Sequence, residues 1–203
     1  MTEPLIVVDG RGGLPDEIVR QLRLAGAARI QGGPYAADAA EALLALSPRE
    51  RPRVVVFVAN RTVPTQATGP WQHAGVPHLP VTCDGRVATV GPLVVPSRSA
   101  CWGCHALTIR DLEAVSSLRS SGFVLDPVAL PPGGLGLLTA SITATVALAV
   151  LGGAVHLAGV STEIEVDGPT VTHRHWPRHP LCRTCGDRGA AAWPATAQDT
   201  MAG

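Results

Sequence analysis

The sequence predicts an α/β fold with a largely parallel sheet, to which a C-terminal hairpin is fastened by four cysteines. Three observations predict it. Aliphatic runs alternate with helical periodicities through the first half. A glycine-rich turn follows the first of those runs. Two Cys-x-x-Cys pairs, Cys101/Cys104 and Cys182/Cys185, bracket most of the second half.

The elements follow in order. Leu5-Ile6-Val7-Val8 is a continuous aliphatic run, the signature of a strand buried on both faces. Asp9-Gly10-Arg11-Gly12-Gly13 ends it. Ile18, Leu22 and Ala25 then recur at helical spacing, with Pro15, Asp16 and Glu17 suited to a first turn and Gly26 to a stop. Arg29-Ile30-Gln31 reads as a short second strand, and Ala36 to Leu46 as an Ala/Leu helix ending near Ser47-Pro48. Val54 to Ala59 is a second fully apolar strand. His73 to Val81 reads as a helix end leading into a strand, and Arg86 to Val95 as a strand or hairpin.

The second half is organised differently. A helix is expected over Thr108–Leu118, followed by a Pro/Gly loop at Pro131-Pro132-Gly133-Gly134 and a long apolar helix. Thr162 to Val166 and Val171 to Trp176 pair as a hairpin across Gly168-Pro169. The folded unit is expected over 1–187, and the Ala/Thr/Pro-rich 188–203 is expected to be disordered.

Composition narrows the function. The chain has 203 residues, 16 basic and 16 acidic side chains, and no net charge. No basic stripe points to nucleic acid. All the basic residues are Arg, which removes any lysine phosphate grip, Schiff base or lysine general base. The N-terminus Met1-Thr2-Glu3-Pro4 has no secretory pattern, so a cytoplasmic chain with reduced thiols is expected. From Gly133 to Val160 there is no Asp, Glu or Arg, a length that spans a bilayer. The cysteine pairs lie on either side of that segment, and a single crossing would separate them. Together with Thr139, Ser141, Thr143 and Thr145, this indicates a buried or interface helix and no membrane.

Cysteine spacing carries the strongest chemical signal. Two thiolates on one tight turn reach one ion, and two such turns complete a closed tetrahedral site of the structural type, with zinc the fitting metal. The 77 residues between Cys104 and Cys182 mean that the clip joins distant parts of a fold. His173, His175 and His179 read as its neighbours, and the lone Cys83 as core. Gly10, Arg11, Gly12 and Gly13 between strand and helix have phosphate-loop character, but Pro15 replaces the third glycine of the dinucleotide fingerprint, and Gln31-Gly32-Gly33-Pro34 supplies no ribose-binding acid.

Taken together, these pieces resemble the ThiF/MoeB family of ubiquitin-activating-enzyme-like adenylyltransferases. The residues that carry the resemblance are Leu5 to Leu14, Leu22 to Ile30, Ala74 to Leu79 and the two cysteine pairs, over roughly 4–187. Gly91 to Pro96, Ala100 to Leu107 and His179 to Gly186 look most like a divergent branch, the ThiF-like partners of azole-forming cyclodehydratases in ribosomal peptide natural-product pathways. That resemblance implies a Rossmann-like domain, a zinc clip, and a YcaO-type cyclodehydratase and precursor peptide as partners; the apolar Gly133–Val160 helix, with more greasy surface than one monomer hides, separately leads to the expectation of a homodimer. In that branch the YcaO enzyme uses the ATP. The phosphate-gripping Lys is absent, the segment from Ile30 to Val54 is too short for the family's Asn/Arg motif, and Val54–Ala59 ends in Asn60-Arg61 rather than acids. Gly10 to Gly13 therefore read as a vestigial phosphate loop, with no catalytic residue and ATP not expected. Full-length branch members carry an N-terminal winged-helix-like module; with the sheet starting at Leu5, that module is expected to be missing. The rival expectations are an ATP-dependent adenylyltransferase acting on a peptide or sulfur-carrier C-terminus and, less favoured, a dinucleotide oxidoreductase.

Overall fold

The computed structural model describes residues 3–115, 127–131, 134–165 and 170–186. The order is β1 (Leu5–Asp9), α1 (Gly13–Leu24), β2 (Arg29–Gly33), α2 (Ala36–Leu46), β3 (Val54–Ala59), α3 (Thr65–Ala74), β4 (His78–Cys83) and β5 (Val87–Val90). It continues with α4 (Trp102–Val115), α5 (Gly134–Leu151), β6 (Val160–Glu165), β7 (Thr170–His175) and α6 (Arg183–Gly186).

All seven strands form one mixed sheet in the order β2-β1-β3-β4-β5-β6-β7. The pairings from β2 to β4 are parallel, with Val8 opposite Val56 and Val56 opposite Leu79. Each crossover there has a helix, as parallel neighbours require. From β4 onward every pairing is antiparallel. The switch lies at Asp84-Gly85-Arg86. Asp84 Oδ1 accepts the N–H groups of Arg86 and Val87, both at 2.9 Å, and Gly85 takes φ +92°. A turn that short can only return the chain antiparallel. The C-terminal hairpin is thus not an appendage; it extends the same sheet.

Valines and leucines of alternating register feed two cores. On one face Ile6, Val8, Leu14, Ile18, Val56 and Leu79 pack with Ala140, Ala144 and Ala147 of α5. On the other, Val7, Val55 and Phe57 pack with Ala37, Ala40, Trp71 and Trp102. Burial of the central strands on both faces explains their lack of polar alternation. Small alanines on the buried side of α5 let that helix lie close to the sheet and to α1.

Some boundaries differ from the sequence expectation. α1 buries Leu14, Ile18, Val19 and Leu22 and ends at Leu24, two residues before Gly26, and Ala25 is exposed. α4 begins at Trp102, not Thr108, because the first cysteine pair itself opens the helix: Cys104 and His105 donate their N–H groups to the Cys101 carbonyl. Residues 116–118 of the expected helix lie outside the described residues, as does the expected tail 188–203. α5 stops at Leu151, nine residues before Val160. Gly153, at φ +81°, donates to Val150, and Ala154 donates to Ala149, a Schellman closure that only the glycine conformation allows easily.

α5 is the one described helix long and apolar enough to cross a membrane, with a mean hydropathy of 2.0. It lies along the sheet, and the cysteine pairs on either side of it in sequence meet in space.

Candidate metal centre and the cavity at the strand ends

The four cysteines predicted as ligands converge. Cys101 and Cys104 come from the start of α4. Cys182 and Cys185 come from the loop after β7 and from α6. Their sulfurs all lie within 4.8 Å of one another. Cys101 Sγ is 3.8 Å from Cys104 Sγ and 3.5 Å from Cys182 Sγ, and Cys104 Sγ is 3.4 Å from Cys185 Sγ. A disulfide requires about 2.05 Å, so these are separate thiols. A tetrahedral ion with metal–sulfur bonds of about 2.3 Å sets its sulfurs about 3.8 Å apart. The residues therefore fit a metal ion.

Gly103 faces Cys101 Sγ and Cys182 Sγ so closely that a Cβ there would touch both, at 3.5 and 3.8 Å. Burial pushes the Cys101 thiol far up and the Cys104 thiol up to about 11. Burial also raises Cys182, but the N–H groups of Cys185 and Thr184, together with the neighbouring thiols, outweigh it and leave that thiol lowered. A cation would hold all four as thiolates, because the ligand form is deprotonated.

His179 belongs to this centre. Its carbonyl accepts the Cys182 N–H at 3.0 Å, and its Nε2 lies 2.9 Å from Asp111 Oδ2 on α4. His173 and His175, grouped with it on sequence, lie on β7; His173 Nδ1 lies 3.0 Å from the Thr162 hydroxyl. The histidine that sequence reasoning passed over is His105. It stacks on Trp102 at 4.3 Å and meets Trp176 edge-on at 4.3 Å. Burial holds its pKa down to about 4, and Arg174 adds to the shift. Trp102 donates to the Val63 carbonyl and Trp176 to the Ser161 hydroxyl, both at 2.8 Å. This aromatic stack ties the cysteine cluster to β6 and to the loop after β3. The Trp at the second position of the first pair was the available signal.

Cys83, read as core, is buried, and burial raises its thiol.

The glycine loop sits at the carboxyl end of β1, where ligands of open α/β sheets enter. Gly12 and Gly13 are there for a reason the sequence did not disclose: the segment Val128–Leu130 runs across them, while Gly10 lies against Val58 and Pro15. Val128 N–H donates to the Arg11 carbonyl at 2.7 Å, and the Val128 carbonyl accepts the Leu14 N–H at 3.2 Å. A Cβ on Gly12, whose φ is +110°, would sit 2.5 Å from that carbonyl oxygen, and one on Gly13 would meet Leu130 at 3.0 Å. Beside the loop lies a cavity of about 410 Å³, lined by Asp9, Arg11, Tyr35, Asp38, Phe57 and Val63 among others. Burial raises the Asp9 carboxyl, opposed mainly by the Ala37 N–H, which it accepts at 3.4 Å.

No protein-family model matches the chain, and no curated protein matches it by sequence. Solved structures do match. MccB from E. coli aligns at TM-score 0.58 and 14% identity, over 95% of this chain and 68% of that one. A heterocyclase in complex with substrate and cofactor aligns at TM-score 0.65 and 17% identity, over 91% of this chain. The heterocyclase TruD aligns at 0.57 and 15%. This chain spans 25% and 28% of the lengths of those two heterocyclases. MccB has also been solved with ATP, at TM-score 0.57 and 15% identity. The chain therefore has the α/β fold of MccB and of these heterocyclase components, the fold that the glycine loop and cysteine pairs implied.

Proposed function

We propose that this protein is a zinc-clipped, non-catalytic ThiF-like partner in azole-forming peptide natural-product biosynthesis. It supports a YcaO-type cyclodehydratase and the engagement of its precursor peptide in the cytoplasm. One observation carries the non-catalytic part: at the N-terminus of α1, which would have to receive a phosphate, the Leu14 N–H is taken by the chain's own Val128 carbonyl. Preorganised donors aimed at developing charge are the main device of phosphoryl and adenylyl transfer. Here Gly12 and Gly13 of the glycine loop give their space to a strap of protein, and no Lys exists to replace the lost donor. The likeness to heterocyclase structures supports the pathway.

Zinc at Cys101, Cys104, Cys182 and Cys185 would crosslink α4 to the segment after β7, with no open position for chemistry. The exposed Leu130, Leu137, Leu138 and Val171 support a homodimer through α5 and the adjoining hairpin.

The alternative is an ATP-dependent adenylyltransferase. It is favoured by the cavity at the strand ends and by the fold shared with a protein solved with ATP. ATP–pyrophosphate exchange with candidate precursor peptides separates the two readings. The partner reading expects no exchange, co-purification with the YcaO-type enzyme and faster cyclodehydration when this chain is added. Exchange that is lost on Arg11→Ala would refute it.

A further inference from the structure

Two short sulfur contacts of the four-cysteine centre run between its two segments. Cys104 Sγ lies 3.4 Å from Cys185 Sγ and Cys101 Sγ lies 3.5 Å from Cys182 Sγ, each joining residues 81 positions apart. The sulfurs of the first pair, three positions apart on one helix end, are 3.8 Å from each other. Contacts that need no sulfur hold the same two segments together. His179 Nε2 lies 2.9 Å from Asp111 Oδ2, the Arg178 guanidinium donates to the Ser97 carbonyl, and Trp176 meets His105 edge-on. Three of the four cysteines are buried; Cys185 is the one that solvent reaches.

We infer that the cysteine centre is a redox-sensitive latch: a small peroxide converts it into two disulfides, Cys104–Cys185 and Cys101–Cys182, that join the same segments a metal ion would join. The peroxide enters at Cys185. That sulfur attacks the peroxide, the O–O bond breaks, and a sulfenic acid and water form. The Cys104 sulfur then attacks the sulfenic sulfur, the S–S bond forms, and a second water leaves. Two thiols are oxidised and one peroxide is reduced to two waters; a second peroxide closes Cys101–Cys182 in the same way. Disulfide sulfurs are no longer thiolate ligands, so a bound ion is released. Bonds within each Cys-x-x-Cys pair would part the two segments, whereas bonds across them keep α4 fastened to the segment after β7. The assignment rests on the sulfur geometry and not on the partner reading.

The arginines of the chain make the pairing readable in the wild type. Trypsin, cutting after Arg98, Arg110, Arg178, Arg183 and Arg188, puts Cys101 and Cys104 in peptide 99–110, Cys182 in 179–183 and Cys185 in 184–188. The full chain is treated with hydrogen peroxide, its remaining thiols are blocked with iodoacetamide in denaturant, and the non-reduced digest is mapped by mass spectrometry. One equivalent of peroxide should join 99–110 to 184–188, with fragmentation placing the bond at Cys104. Two equivalents should add 179–183 through Cys101, giving one species of three peptides. In thermal unfolding the oxidised, metal-free chain should melt about 10 °C above the reduced chain with its metal chelated, because each bond closes a long loop. A disulfide within 99–110, a bond joining 179–183 to 184–188, a first crosslink at Cys182, or sulfinic acid without crosslinks would overturn the assignment. Equal melting of the two metal-free forms would also overturn it. The expected crosslinks without co-purification of a YcaO-type enzyme would sink only the partner reading, and co-purification with bonds inside each pair would sink only this one.

Discussion

His78 carries a titratable ring into the core between β3 and β5. It is fully buried, its Nδ1 lies 3.1 Å from the Val76 carbonyl, and burial holds its pKa down to about 4. In the unfolded chain the ring titrates near the usual 6.5. Between those values the unfolded state binds a proton that the folded state refuses, so stability falls as the pH falls through this window. Denaturant unfolding at about pH 7.5 and about pH 5 should show His78→Gln losing about 2 kcal/mol less than the wild type. Equal losses would mean that the ring is already protonated in the fold. The cysteines are also judged at this scale. Cys104→Ser removes one of four converging sulfurs from a fully buried position. Elemental analysis should find one zinc per wild-type chain and none in the variant. Its stability should fall by about 4 kcal/mol or more, roughly 8–16 °C in Tm. A variant that keeps its full metal content would remove Cys104 from the ligand set.

At the scale of elements, the strap Val128–Leu130 and the loop Gly10–Gly13 form one unit. Gly12 and Gly26 have similar positive φ, +110° and +88°, but different surroundings. Gly26 has open space around its absent Cβ, whereas Gly12 has the Val128 backbone. Alanine at Gly26 should cost about 1–2 kcal/mol, the backbone penalty alone. Alanine at Gly12 should cost about 3 kcal/mol or more, because the strap must also move. Equal costs in thermal unfolding would mean that the strap is not packed on the loop. The sequence showed the glycines but attributed them to an absent ligand, since nothing local connects residue 12 with residue 128. α4 was similar. Its helix was legible, but its start was placed at Thr108 because a metal-binding turn hid the helical capping by the Cys101 carbonyl.

At the scale of the whole molecule, the sheet has two halves of opposite construction, and α5 covers one face of it. The outward side of α5 leaves Leu137 and Leu138 exposed, and Leu138 lines one hollow with the exposed Val171 of β7. Light scattering should give twice the chain mass, and Leu138→Glu should return a folded monomer. A wild-type monomer at high micromolar concentration would end the dimer proposal. α5 also shows where composition was ambiguous. Its 18 residues match a bilayer span in length and hydropathy, but Ala140, Ala144 and Ala147 are sized for a sheet surface.

What the sequence by itself determined is whatever local chemistry can encode. Aliphatic runs specified β1 and β3, helical periodicity specified α1 and α2, and Gly26 placed a helix end. The spacing within each cysteine pair announced a four-sulfur centre, and the absence of Lys ruled out a lysine grip on phosphate. The tertiary structure alone decided what lies opposite what. It turned the sheet antiparallel after β4, set His105 between two tryptophans, and laid Val128 across Gly12. Those arrangements depend on contacts between residues tens of positions apart, which no periodicity or spacing records.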